Sequence, residues 1–293
     1  MSGETYAVAC AFLWALSSAL IKSQTGKMHI VTLGALRTIP AVLIYWAVLI
    51  LSDGMDQILQ LPVRTWAFLI GSAIIGLVIG DLLYLASMKR IGLSRALPLS
   101  TTYPFFTIVL AVLFLDEQLG WAIGAGALLI GAGAYSLAVP KAAERARDGV
   151  SLRANRAGTA MAILAAMCWG AGTILARLGL EGIDVAVANA IRLSVLTIAF
   201  FAMSVRLDTI GQIRRHGLGS LAIVLVAGIV GAGLGTFAFL SAVQRAGAAK
   251  TSILTATTPL FGVPFSLVLK EKLSVRKVVG TILTVLGVWL TVY

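Results

Sequence analysis

Arg37 and Arg192 each interrupt an apolar run long enough to cross a bilayer, and they stand 155 positions apart. A guanidinium at the centre of such a run costs about 2.5–3.5 kcal/mol on insertion scales, so something must offset it. Asp81 is the one acid well inside an apolar run, and pairing with Arg37 would supply that offset. The position 155 residues beyond Asp81 is Thr236, so Arg192 has no matching acid. Two readings of Arg192 follow. It faces a cavity and attracts an anionic group such as an amino-acid carboxylate, or both arginines snorkel or bond helix-end carbonyls. Asp81 has two readings as well: a static partner of Arg37, or a carboxyl that binds and releases protons in a low-dielectric site.

The same offset relates other chemistry-bearing residues. Trp14 maps onto Trp169, Tyr84 onto Phe239, Arg90 onto Arg245, Gly92 onto Gly247 and Pro104 onto Pro259. One shift that registers several separated features marks a duplicated unit. Hydroxyls cluster beside the prolines: Ser100, Thr101, Thr102 and Tyr103 in one copy, Thr255, Thr257 and Thr258 in the other. A proline inside a helix removes a donor and frees the carbonyl four residues back, here on Ser100 and Thr255. Such interruptions with polar groups at mid-membrane line substrate cavities, or the hydroxyls only re-satisfy a kinked backbone. Trp14 and Trp169 lie mid-run, with Ser17, Ser18 and Thr173 within about a turn of them. They form an aromatic wall suited to an apolar or aromatic ligand, or they pack as ordinary helix contacts. Trp66 and Trp121, near the starts of runs, read as interfacial.

These residues need a frame to hold them. The chain has 293 residues, 59% hydrophobic and 12% charged, with a mean hydropathy of +0.97. The charged fraction is about half that of a soluble domain. The pattern predicts an all-α membrane protein with ten spans of about 20 residues each. They fall near 5–21, 29–51, 66–88, 96–115 and 118–139, then near 157–177, 184–205, 218–242, 251–269 and 273–293. The first run lacks a basic leader, and its Trp14 has a repeat partner, so it reads as a retained span and not a signal peptide. Residues 1–139 and 157–293 form the two five-helix repeats, joined by a basic linker over 140–156 with Lys141, Arg145, Arg147, Arg153 and Arg156.

An odd-numbered unit copied in tandem must enter the membrane upside down, and the loop charges agree. The loop around Arg64 has one basic residue, whereas its counterpart has Arg206, Arg214 and Arg215. Basic residues concentrate in the odd-numbered loops, which places the linker in the cytoplasm and both termini outside. The net charge of +11 then reflects loops facing anionic lipid, and no nucleic-acid partner is expected. Cys10 and Cys168 lie in apolar runs, and no disulfide framework is visible. No metal spacing, phosphate loop, HExxH or nucleophile elbow is present. Neither a cofactor nor a metal is therefore expected, an integral-membrane enzyme is disfavoured, and an ATP-driven pump is excluded for this chain alone.

The repeated pattern resembles the EamA-type branch of the drug/metabolite transporter superfamily. The first copy shows Trp14, Arg37, Gly80, Tyr84 and then Pro104 through Leu115-Asp116-Glu117. The second shows Trp169, Arg192, Gly235, Phe239 and then Pro259 through Leu269-Lys270-Glu271. Members are ten-span carriers built from two inverted five-span repeats, and YddG-type amino-acid exporters are among them. The resemblance implies a bacterial inner-membrane carrier of a small metabolite, exporting neutral or aromatic amino acids by alternating access. A broader drug/metabolite efflux or uptake carrier of the same fold is the alternative. Many members have cytoplasmic termini, which differs from the charge bias here. The expected partners are a small-molecule substrate and the lipid bilayer; the oligomeric state is open and compatible with a monomer.

The candidate substrate site is Trp14, Ser17, Tyr84, Ser100, Thr101, Tyr103, Trp169, Thr173, Arg192, Phe239, Thr255 and Thr258. Arg37 and Asp81 form its ion pair or proton site, and Pro104 and Pro259 its kinks. Glu117 and Glu271 are expected to cap the helices that follow them. His29 and His216 lie near span ends and suit interfacial or loop roles better than ligand roles. Gly76 and Gly80, like Gly231 and Gly235, have the four-residue spacing that lets helices approach closely. Gly126, Gly131, Gly133, Gly280 and Gly287 suit a contact between the last helix of each repeat, within one molecule or between two.

Overall fold

The computed structural model describes residues 1–52, 54–115, 120–138, 152–268 and 275–292. Among them every regular element is a helix. The first half holds α1 (Gly3–Lys22), α2 (Ile30–Leu51), a short α3 (Gly54–Leu59), α4 (Val63–Ser72), a π-helical segment π1 (Ala73–Ile79), α5 (Gly80–Ile91), α6 (Leu93–Ser100), α7 (Tyr103–Leu115) and α8 (Trp121–Ala138). The second holds α9 (Leu152–Gly179), α10 (Val185–Ser204), α11 (Thr209–Ala227), π2 (Gly228–Gly235), α12 (Thr236–Ala246), α13 (Ala248–Thr255), α14 (Thr258–Val268) and α15 (Val275–Val292). Glu117, Glu271 and most of the basic linker lie outside the described residues.

Among the described residues, six helices are long and apolar enough to cross a membrane: Gly3–Lys22, Ile30–Leu51, Val63–Ile91, Arg156–Gly179, Val185–Ser204 and Thr209–Ala246. The chain is a multi-pass membrane protein. Val63–Ile91 joins α4, π1 and α5 into 29 residues. At about 1.5 Å per residue this exceeds a ~30 Å hydrocarbon core, so it tilts or runs into the headgroup layer. Arg64 and the Lys89–Arg90 pair sit at its two ends, where charges can reach water. In the second half Gly217 has φ 75° and breaks α11. The apolar stretch therefore begins at Leu218, 155 residues after Val63.

The helix starts carry chemistry of their own. Ser2 caps α1 by accepting from the Thr5 amide. His29 caps α2, its Nδ1 accepting from the Val31 amide at 3.3 Å, and Asp184, 155 residues on, caps α10 from Ala186 at 2.6 Å. His29 is thus a structural cap, and His216 is exposed. Gly92 (φ 79°) and Gly247 (φ 85°) each form a one-residue turn between helices, a conformation that side-chain-bearing residues avoid.

The runs near 96–115 and 251–269 are each two helices rather than one kinked helix. Ser100 ends α6 and Tyr103 opens α7; Thr255 ends α13 and Thr258 opens α14. Pro104 and Pro259 therefore occupy the first turn of a new helix, where a missing N–H costs little. The expectation that they kink a continuous helix is corrected. The same chain positions are interrupted, but the break lies just before each proline.

The halves interlock. α1 packs mainly against π2, α12, α13 and α14, and α9 packs against α4, π1, α5 and α7. α2 lies along α10, and α8 along α15 within this one chain. Small residues permit the closest approach: a Cβ on Gly76 would meet the Gly172 backbone at 3.2 Å, and one on Gly231 would collide with the Ser17 side chain. Gly172 and Ser17 are again 155 apart. Most of the large side chains left exposed are Leu, Ile, Val and Phe on the outer helix faces, as a lipid-facing surface requires.

Candidate functional site: a cavity between the two halves

A cavity of about 990 Å³, its open mouth included, lies where the halves meet. The crossing helices build it. Trp14 and Ser17 come from α1, Arg37 from α2, Asp81 and Tyr84 from α5, and Thr101 and Tyr103 from the first break. Trp169 and Thr173 come from α9, Arg192 from α10, Thr236 and Phe239 from α12, and Thr258 from the second break. Ten of the twelve residues named for the site from sequence line it, together with Arg37 and Asp81.

Ser100 and Thr255 do not line it. Both are fully buried, and their hydroxyls turn back on their own helix ends, Ser100 onto the Leu97 carbonyl at 3.0 Å and Thr255 onto the Thr251 carbonyl at 2.8 Å. Thr255 Oγ1 also meets the Tyr103 hydroxyl, tying one helix break to the other. Here the reading of hydroxyls as re-satisfiers of interrupted backbone holds. Pro104 is likewise absent from the lining, and the Pro259 side chain lies outside the described residues.

Two aromatic pairs line the cavity. Trp14 and Phe239 have ring centroids 5.0 Å apart, and Trp169 and Tyr84 are 5.2 Å apart. Tyr103 presents its edge to Trp169 at 6.3 Å. Each pair joins one half to the other. Each indole also lies on a glycine of the facing helix: a Cβ on Gly235 would be 2.7 Å from Trp14, and one on Gly80 would be 2.7 Å from Trp169. The four-residue glycine spacing thus seats the indoles as well as the backbones.

The polar groups break this symmetry. Arg37 Nη2 donates to Asp81 Oδ2, forming an ion pair. Asp81 Oδ1 accepts from the Trp169 indole at 3.1 Å, so both carboxylate oxygens are engaged. Arg192 is only 3% exposed. Its Nε donates to Ser72 Oγ at 2.9 Å, and its Nη1 has no hydrogen-bond partner. Neither arginine snorkels, and neither bonds a helix-end carbonyl. Arg37 is compensated by charge and keeps an unpartnered Nε, whereas Arg192 is anchored at Nε and its buried Nη1 has no partner.

The supporting layer was not visible in the sequence reading. Ser72 donates to the Leu69 carbonyl at 2.8 Å, which fixes its oxygen as the acceptor for Arg192. Ser17 donates to the Ala227 carbonyl at 2.8 Å, so its hydroxyl hydrogen serves to join α1 to α11. Tyr45 donates to the Gly233 carbonyl inside π2 at 2.9 Å and accepts from Asn189 at 3.3 Å. Tyr45 and Asn189 are polar residues in otherwise apolar runs, and that signal could have flagged them. Of the groups that could hold a metal, no cluster of three occurs among the described residues.

Comparison with known proteins agrees with this architecture. The model for the EamA-like transporter family matches residues 1–139 and 156–293, and the chain belongs to that family. It is a membrane transporter. It is similar to a protein of Archaeoglobus fulgidus described as an uncharacterized transporter, 26% identical over 283 residues, covering 96% of this chain and 94% of the relative. A solved crystal structure, 17% identical, superposes with a TM-score of 0.75 over 99% of this chain and 96% of that one, which speaks to the fold alone.

Proposed function

We propose that this transporter is a ten-span secondary carrier of two inverted five-helix repeats, which exports neutral or aromatic amino acids by alternating access. The observation that carries this reading is the cavity between the halves, with matched aromatic pairs on its walls and the unpartnered Nη1 of buried Arg192. A carboxylate satisfies such a guanidinium, and the Trp14–Phe239 and Trp169–Tyr84 pairs accept an apolar or aromatic side chain. Thr101, Thr173 and Thr258 add hydroxyls to the same space.

Four further spans complete the ten: α6 with α7, α8, α13 with α14, and α15. The two broken spans carry hydroxyls at their breaks, as discontinuous helices around a midplane site do. The glycine crossings of π1 with α9 and of π2 with α1 supply smooth surfaces on which one half can slide against the other. Loop charge puts the 140–156 linker in the cytoplasm and both termini outside.

Counterflow in proteoliposomes tests the substrate reading. Vesicles preloaded with phenylalanine should accumulate labelled aromatic and branched amino acids, and not sugars or polyamines. Absence of counterflow with every amino acid overturns it. Cysteine labelling tests the inverted arrangement: Arg64→Cys and Arg214→Cys should react from opposite faces of the membrane, and reaction from one face refutes it.

A further inference from the structure

We infer that the cavity selects its substrate as a monocarboxylate with an apolar or aromatic body, and that the amino group of an amino acid is dispensable. This rests on the carrier reading above. It comes from a count of charges. The charged side chains among the described lining residues are Arg37, Asp81 and Arg192. Arg37 and Asp81 cancel each other within an ion pair. Arg192 is left as one uncompensated cation in low-dielectric surroundings, held by Ser72 at Nε and unpartnered at Nη1.

A bound carboxylate brings the site to neutrality. A zwitterion brings the same carboxylate together with an ammonium, and the ammonium needs an anion of its own in a dry site. The cavity has none to give. Asp81 Oδ2 accepts from Arg37 and Oδ1 from Trp169, so an ammonium would have to share a carboxylate whose charge Arg37 already balances. Several lining hydroxyls already donate to backbone carbonyls: Ser17 to Ala227, Thr173 to Trp169, Thr236 to Ala232 and Thr258 to Thr255. Their oxygens retain lone pairs that can accept from a hydroxyl, an amide or an ammonium, but they carry no charge to neutralise one. The remaining wall combines aromatic rings, glycines, the aliphatic Leu77, Leu97, Leu193 and Leu196, and further uncharged hydroxyls. Rings can face a cation, but the uncompensated Arg192 guanidinium in the same cavity opposes a second net positive charge.

The test uses the purified full-length protein, with labelled phenylalanine displaced by two truncations of the same skeleton. 3-Phenylpropanoate lacks the ammonium, and phenethylamine lacks the carboxylate. 3-Phenylpropanoate is expected to displace the label at or below the concentration of unlabelled phenylalanine that does so. Phenethylamine is expected to need a concentration roughly tenfold higher or more. Arg192→Gln should weaken 3-phenylpropanoate about tenfold or more, with Arg192→Lys intermediate because it keeps the charge and loses the fork. Both variants are compared only as monodisperse, cooperatively melting preparations.

Displacement by phenethylamine at least as good as by 3-phenylpropanoate overturns the inference and leaves the amino-acid reading standing. So does phenylalanine binding that 3-phenylpropanoate cannot compete. If labelled phenylalanine does not bind at all, labelled 3-phenylpropanoate is titrated directly. Its binding upholds the inference against the amino-acid reading, and its failure overturns both.

Discussion

The Arg37 and Arg192 sides of the cavity began from the same blueprint and now differ in one decisive respect. On the first side an acid, Asp81, neutralises the arginine and fixes the Trp169 indole. On the second, the matching position is Thr236, whose hydroxyl bonds the Ala232 carbonyl at 2.5 Å, and Trp14 makes no hydrogen bond among the described residues. Shape is shared, down to the glycine under each tryptophan. Charge is not. One arginine is closed by its neighbour's charge; the other has a single hydrogen bond at Nε and a buried Nη1 without a partner. The family model matches both halves, and these counterpart positions differ by a single carboxylate.

The largest effect should come from opening the closed side. Asp81→Ala strands the Arg37 guanidinium and should destabilise the protein by about 3–5 kcal/mol. Thermal melting in a fixed detergent would measure it. The neutral double variant Arg37→Met with Asp81→Leu should recover most of that loss, because no unpaired charge remains. A double variant as unstable as Asp81→Ala would mean that the pair does more than neutralise itself.

Next comes a packing contrast between the same halves. Gly228 opens π2, and any Cβ placed there would strike the Arg37 carbonyl. Its counterpart Ala73 already carries a methyl group. Gly228→Ala should therefore cost about 1–3 kcal/mol through overpacking, whereas Ala73→Gly should cost roughly the 1 kcal/mol of a glycine in a helix. Equal effects at the two positions would show that the halves pack alike where they differ in residue.

On the open side, Arg192→Gln should leave stability equal or slightly improved, since burying an unpaired guanidinium is unfavourable by itself. Ligand binding should fall about tenfold or more. Melting and binding measured on the same preparation separate the two, and a large fall in melting temperature would make Arg192 structural. The last contrast is between the indoles. Trp169→Phe removes a hydrogen bond to an ionised carboxylate and should cost about 1.5–3 kcal/mol, while Trp14→Phe should stay within about 1 kcal/mol, each read by melting.

Much of this comparison was legible before any coordinates. A fixed offset of 155 linked the arginines, tryptophans and prolines, and the absence of an acid opposite Arg192 could be read from Thr236 alone. The pairing of Arg37 with Asp81 followed because a lone acid and an arginine in apolar surroundings have few other solutions. The π segments were not legible. An apolar run looks the same whether its turns are α or π, and Gly76 and Gly231 pointed only to close packing. Nor could the sequence indicate Ser72 as the anchor of Arg192, or the carbonyls bonded by Ser17 and Tyr45, because those partners come from the other half. Ser100 and Thr255 were misplaced for a local reason. A hydroxyl at a helix end finds its own carbonyls before it reaches a cavity.

The interlocking of α1 with the second half and of α9 with the first has a consequence for biogenesis. While the ribosome is still translating the linker, the first half lacks the main partners of α1 and the indole for Asp81. Its glycine-lined faces meet only lipid or a chaperone until α9 is inserted. Arg192 arrives later still, and the serine that will hold it has by then been waiting since α4. Neither half expressed alone should mature, whereas both produced together from separate messages should restore the protein if their late meeting in the bilayer is how it is normally made.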